Sequence, residues 1–204
     1  MVGLPGILLL LFAAALWAQD KPPSPSPQPS ARAKASVVDP GAVRDGVYRN
    51  SGFGFSYKLP YGWVDRTTGM QDDSADSSKS RLLLGIFERP PEATGDTINS
   101  AVVVAAEPLA AGEKTAADYF ESLAALTSNQ GFQAAQDPQE ISIGAAKLVR
   151  GDFSKVRGNL TMRQTSLVTV KRGYAISFTF VAGSEDEVNE LIEKLSFTAS
   201  KPQH

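Results

Sequence analysis

The chain has 204 residues, 20 basic and 22 acidic side chains, a single histidine and no cysteine. Without cysteine there is no disulfide, thiolate nucleophile, thiolate metal site or cysteine-linked lipid, and with His204 as the sole imidazole a Ser-His-Asp triad or histidine metal site is excluded in practice. A net charge of −2 lacks the basic excess that drives nucleic-acid affinity, so no nucleic-acid partner is expected.

Residues 1–18 carry no charged side chain, and the apolar run from Leu4 to Ala18 is interrupted only by Pro5 and Gly6. That run is short for about 30 Å of hydrocarbon and reads as a signal peptide with a small residue, Ala18, before Gln19. It lacks a basic n-region, and Leu16 is poor at the upstream cleavage position, so an uncleaved anchor is the alternative. Residues 19–42 form a spacer with five prolines between Pro22 and Pro29, a density that removes amide donors and favours solvated polyproline II. A folded domain is expected over 43–200, with 201–204 as a short tail.

Within the domain, Phe53, Phe55, Tyr57 and Leu59 alternate with Gly54, Ser56 and Lys58, the period of a strand with one apolar face. Pro60 ends that ladder and Tyr61-Gly62-Trp63 turns the chain into Val64. Trp63 is expected to close the core edge; Tyr61 is open between core and recognition surface. Asp72, Asp73 and Asp76 crowd a serine-rich loop that could offer oxygen ligands to calcium, but without EF-hand spacing a solvated loop is the better reading and no metal is assigned.

Further strands are expected over 81–88, 100–107, 139–153, 160–171 and 174–182, the last two joined at Lys171-Arg172-Gly173 as a hairpin. Thr115 and Asp118 form a capping signature ahead of Tyr119, Phe120, Leu123 and Leu126, with Gly131 near the stop. Ser184 with Glu187 forms a second capping box, followed by a Val188, Leu191, Ile192, Leu195 stripe. Asn159-Leu160-Thr161 is a glycosylation sequon, meaningful only in a pathway that modifies it. Strands in runs with two helices interspersed indicate an antiparallel α+β domain, with Phe55, Tyr57, Leu191 and Leu195 in a common core and Lys58 and Glu193 outward.

Tyr48-Arg49-Asn50, then Gly54-Phe55-Ser56-Tyr57-Lys58-Leu59-Pro60 and Gly62-Trp63, resembles the opening of PsbP-like and DcrB-like extracytoplasmic domains. Gly173-Tyr174 with its alternating strand, the Ser-Glu-rich helix and Phe197 are similar to that family's carboxyl-terminal half. The resemblance implies a central antiparallel sheet flanked by helices, an α/β/α sandwich. It also implies an exported protein that assists other assemblies, as members at the lumenal face of photosystem II do. No family binding residue is carried over, and the domain's lack of histidine departs from those members.

No Gly-x-Ser-x-Gly elbow or Ser-x-x-Lys motif occurs, so no catalytic residue and no cofactor is assigned. The expectation is a non-enzymatic accessory or interaction module, periplasmic or secreted, with an envelope protein as partner. A small-ligand or ion-binding domain and a hydrolase lacking His and Cys are the alternatives. The one localised candidate is a polar sheet face carrying Ser56, Lys58, Arg163, Thr165, Ser177 and Thr179, with Lys58 and Arg163 as donors to an anionic partner. A merely solvated face is the competing reading.

Overall fold

The computed structural model describes residues 38–72, 80–93 and 95–198, all within the compact unit that begins at Val38. The expected signal peptide, most of the spacer and the tail lie outside the described residues. In chain order the elements are β1 (Ala42–Arg44), β2 (Val47–Asn50), β3 (Phe55–Lys58), β4 (Val64–Asp65), α1 (Thr67–Asp72), β5 (Arg81–Phe87), β6 (Ala101–Pro108) and α2 (Ala116–Asn129). There follow β7 (Gln133–Ala134), β8 (Gln139–Ile143), β9 (Ala146–Arg157), β10 (Leu160–Lys171), β11 (Tyr174–Ala182), α3 (Glu185–Ile192) and β12 (Leu195–Phe197).

The domain is α+β with every strand pair antiparallel, arranged in two sheets. The smaller has the order β1-β2-β3-β12; the larger runs β4-β5-β6-β11-β10-β9-β7, with β8 also paired to β9. Tyr48, Phe55 and Tyr57 of the small sheet meet Leu167, Phe178 and Phe180 of the large one in a single buried cluster that also takes in Val188 and Leu191 of α3. Rings interlock across it, Phe55 lying 5.0 Å from Phe178 at 83°. The opposite face of the large sheet is covered by α2, where Tyr119 and Phe120 pack with Phe153 and Val168.

The sandwich therefore differs from the expected one, because the small sheet fills the flank that α3 alone is too short to cover. Eight helical residues span about 12 Å, whereas β10 and β11 of 12 and 9 residues are much longer. Covering both faces also explains why Leu167 and Val168 are both fully buried.

Several boundaries move. Val38–Ala42, assigned to the spacer from sequence, belong to the fold: Val38 packs on the core, Ala42 opens β1, and Asp39 accepts from the amides of Gly41 and Gly52 and the hydroxyl of Ser51, each at 2.9 Å. Those donors hold the Asp39 carboxyl below its ordinary range. The expected strand over 139–153 is two strands, β8 and β9, because Gly144 turns the chain at φ +57°. Leu195 is in β12, paired with Tyr57, rather than on the last turn of α3, although it is buried as expected.

Both caps form, differently. Thr115 and Asp118 make a reciprocal capping box. Ser184 accepts from the Glu187 amide, but the Glu187 carboxylate accepts from the Gly183 amide and the buried Ser100 hydroxyl instead of from the cap residue.

Gly151 stands where α2 crosses β9, and a Cβ there would lie 2.1 Å from Phe120 Cζ. Gly151→Ala is expected to destabilise the domain by about 1–3 kcal/mol through overpacking. Denaturant melts check this, and a loss restored by Phe120→Leu in the double variant identifies the ring as the obstacle.

Candidate functional site

The register β9–β10 sets Arg150 beside Leu167, Asp152 beside Thr165 and Ser154 beside Arg163, so these side chains share the large sheet's inner face at the end near α3. An Arg-Gly-Asp run on an extended strand puts Arg150 and Asp152 on one face, two residues apart. Arg150 Nε donates to both Asp152 oxygens at 3.0 Å, and its Nη2 donates to Asn189 Oδ1 of α3 at 3.1 Å. The Thr165 hydroxyl donates to Asp152 Oδ1 at 2.5 Å and Gln136 Nε2 to Oδ2 at 2.9 Å.

Burial by itself would raise the Asp152 carboxyl, but the donors on Arg150, Thr165 and Gln136 outweigh it and hold the group below its ordinary range. A carboxylate kept ionised by four hydrogen bonds is a poor general base at neutral pH. This network ties β9, β10 and α3 together.

Arg163, Gln136, Thr165 and Glu185 line a shallow cleft of about 130 Å³ at the edge of the network. That is well under the roughly 300–1,000 Å³ of small-molecule sites. The Arg163 side chain is exposed and has no hydrogen-bond or ion-pair partner among the described residues. Beyond it, Lys155–Met162 form a two-stranded arm, since β7 flanks β9 only as far as Ser154 and β11 flanks β10 only as far as Arg163. Val156 on this arm is 73% exposed, and Asn159 of the sequon is exposed at its turn beside Gly158 at φ +63°.

The six residues expected to share a polar face are divided among three. Ser56 and Lys58 belong to the small sheet, where the Ser56 and Ser196 hydroxyls are 2.9 Å apart. Arg163 and Thr165 lie on the inner face of the large sheet, Thr165 buried and spent on Asp152. Ser177 pairs with Val168 and Thr179 with Ser166, on the face under α2. There Ser177 is buried near Tyr119, whose phenol donates to Glu107 at 2.9 Å and is pushed well above its ordinary range by burial and the Glu107 charge. The division arises because β10 and β11 are buried on both faces, so polar residues do not mark a single solvent side.

Trp63 packs half-buried against the core, as expected, while Tyr61 is wholly exposed. Asp73 and Asp76 lie outside the described residues, as does the Asp72 side chain. Among the described residues no group of three acidic or imidazole side chains could hold a metal ion. No helix among them is long and apolar enough to cross a membrane.

Neither a family model nor a curated protein matches the chain. Solved structures similar to it include the cyanobacterial PsbP (CyanoP) of Synechocystis sp. PCC 6803, at 12% identity over 74% of this chain and 91% of that one, TM-score 0.48. LpqN of Mycobacterium tuberculosis, described as involved in cell envelope biogenesis, is 18% identical over 71% of this chain and 83% of that one, TM-score 0.41. The Saccharomyces cerevisiae Ran-binding protein Mog1p is 12% identical over 74% and 94%, TM-score 0.44.

Proposed function

We propose that this chain is an exported, non-enzymatic accessory module of the bacterial cell envelope, periplasmic or secreted, which docks on a protein assembly through the β9–β10 arm. The observation that carries the reading is Arg163, an exposed guanidinium without a partner among the described residues, at the root of an arm that also presents Val156 and Arg157. A planar five-donor fork beside exposed apolar surface suits a carboxylate on a partner protein, and Arg is enriched at the centres of such interfaces. Export is read from the apolar segment 1–18 and the proline-rich spacer behind it. Of the residues assigned to the site, Arg163 remains as the donor; Thr165 is spent on Asp152, Ser177 is buried, and Thr179 lies half-exposed on the opposite face of the sheet.

The test uses the chain with a carboxyl-terminal tag in its native cell. Recovery from the envelope fraction, with an amino-terminal mass corresponding to cleavage after Ala18, is the expected result for export. Arg163→Glu is expected to lower recovery of cross-linked partner proteins on the order of tenfold while the thermal melt is unchanged. Undiminished recovery would remove the arm as the docking site, and a cytoplasmic product retaining Met1 would remove the export reading.

A further inference from the structure

The outer side of the small sheet is a distinct surface. Tyr48, Asn50, Phe55 and Tyr57 point into the core, so alternation turns Ala42, Arg44, Val47, Arg49, Ser56, Lys58 and Ser196 outward. Register sets Ala42, Arg49, Ser56 and Ser196 in one row across the four strands, and Arg44, Val47 and Lys58 in the next. Three cations are thus displayed with no carboxylate among the strand positions, on a chain whose net charge is −2. None of the three takes part in an ion pair among the described residues; Arg49 Nη1 reaches only the Arg44 carbonyl, at 3.3 Å.

Charge pairing within the fold therefore does not account for this face. At its rim Lys58 and Lys194 flank an open shelf with Leu59, Pro60 and the fully exposed Tyr61, and Asp45 on the β1–β2 turn is the shelf's one carboxylate.

We infer that this face seats on an anionic lipid surface, with Arg44, Arg49 and Lys58 against headgroup phosphates and Tyr61 at the interfacial level. Small side chains at Ala42, Ser56 and Ser196 leave the sheet open to a planar partner, and basic clusters with a rim aromatic are the pattern of peripheral membrane contact. Cations spread over two rows of a sheet, with only small side chains between them, suit a planar lipid surface better than the shaped surface of an acidic protein.

The chain from Gln19 onward, as the proposed cleavage leaves it, is sedimented with vesicles of phosphatidylcholine alone and of phosphatidylcholine mixed with phosphatidylglycerol. The reading is the difference between them. Binding is expected to rise with phosphatidylglycerol, to weaken with added salt, and to fall on the order of a hundredfold in Arg44→Glu/Arg49→Glu/Lys58→Glu with an unchanged thermal melt. The neutral triple replacement by Gln gives an intermediate loss and keeps the test valid if charge reversal impairs folding. Arg163→Glu is expected to leave vesicle binding intact, which separates this surface from the protein-docking arm. Equal binding to both vesicles, an anionic preference that survives the triple replacement, or tighter binding to polyglutamate than to phosphatidylglycerol vesicles would overturn the inference.

Discussion

Replacing Phe178 with alanine is expected to cost about 3–5 kcal/mol, a large fraction of the roughly 5–15 kcal/mol that holds a folded domain together. The ring is fully buried, stacks edge-on against Phe55 at 5.0 Å and lies 5.8 Å from Phe197, so it joins the central strand β11 to both β3 and β12. Large-to-small changes cost most where the surroundings cannot collapse, and here the walls are two hydrogen-bonded sheets. Urea unfolding measures the loss. A cost below about 1 kcal/mol would mean that the two sheets do not pack face to face as described, since surface substitutions stay near half a kcal/mol.

How much of this was legible beforehand depended on whether a segment is covered on one side or two. Phe55 and Tyr57 alternate cleanly with Ser56 and Lys58 because β3 has one face in the core and one in solvent, so their burial follows from period alone. The pair β10 and β11 gave correct strand limits and a correct turn, Arg172 and Gly173 both having positive φ as a two-residue hairpin requires. Their faces could not be read, since Leu167 and Val168 are buried alike and a period of two has nothing to distinguish. The proposed polar face failed for that reason: it combined residues of two sheets and both sides of one.

Other features had signals that went unused. Asp45-Gly46 is a strong hairpin dipeptide, and both residues do have positive φ between β1 and β2. Weighing it would have placed the small sheet's first hairpin, and with it Arg44 and Arg49 on the same face as Lys58. Arg150-Gly151-Asp152 in a β-type run likewise announces two charges on one face around a glycine, which Phe120 then covers. By contrast nothing local shows that Leu195 leaves α3. The stripe spacing is helical, and only the ladder with Tyr57 draws it into β12.

The replacement Leu191→Ala tests how α3 is held. Leu191 is 3% exposed in the central cluster, its carbonyl accepts from the Tyr57 hydroxyl at 3.1 Å, and α3 packs on β10 and β11. Removing the side chain opens a cavity between the helix and two strands, with an expected cost of about 2–5 kcal/mol. The helix is short, with eight residues and an acidic first turn, so it can shift toward the cavity and bring the value to the lower part of that range. Tyr57 supplies a second readout. Burial raises its phenol well above the ordinary range, so if α3 loosens in the variant, the Tyr57 absorbance should begin to titrate at lower pH while the domain is still folded. A stability loss under half a kcal/mol with an unmoved Tyr57 titration would show that α3 does not rest on the core through Leu191. The helix would then be anchored chiefly by the Arg150–Asn189 contact and the Ser100–Glu187 hydrogen bond.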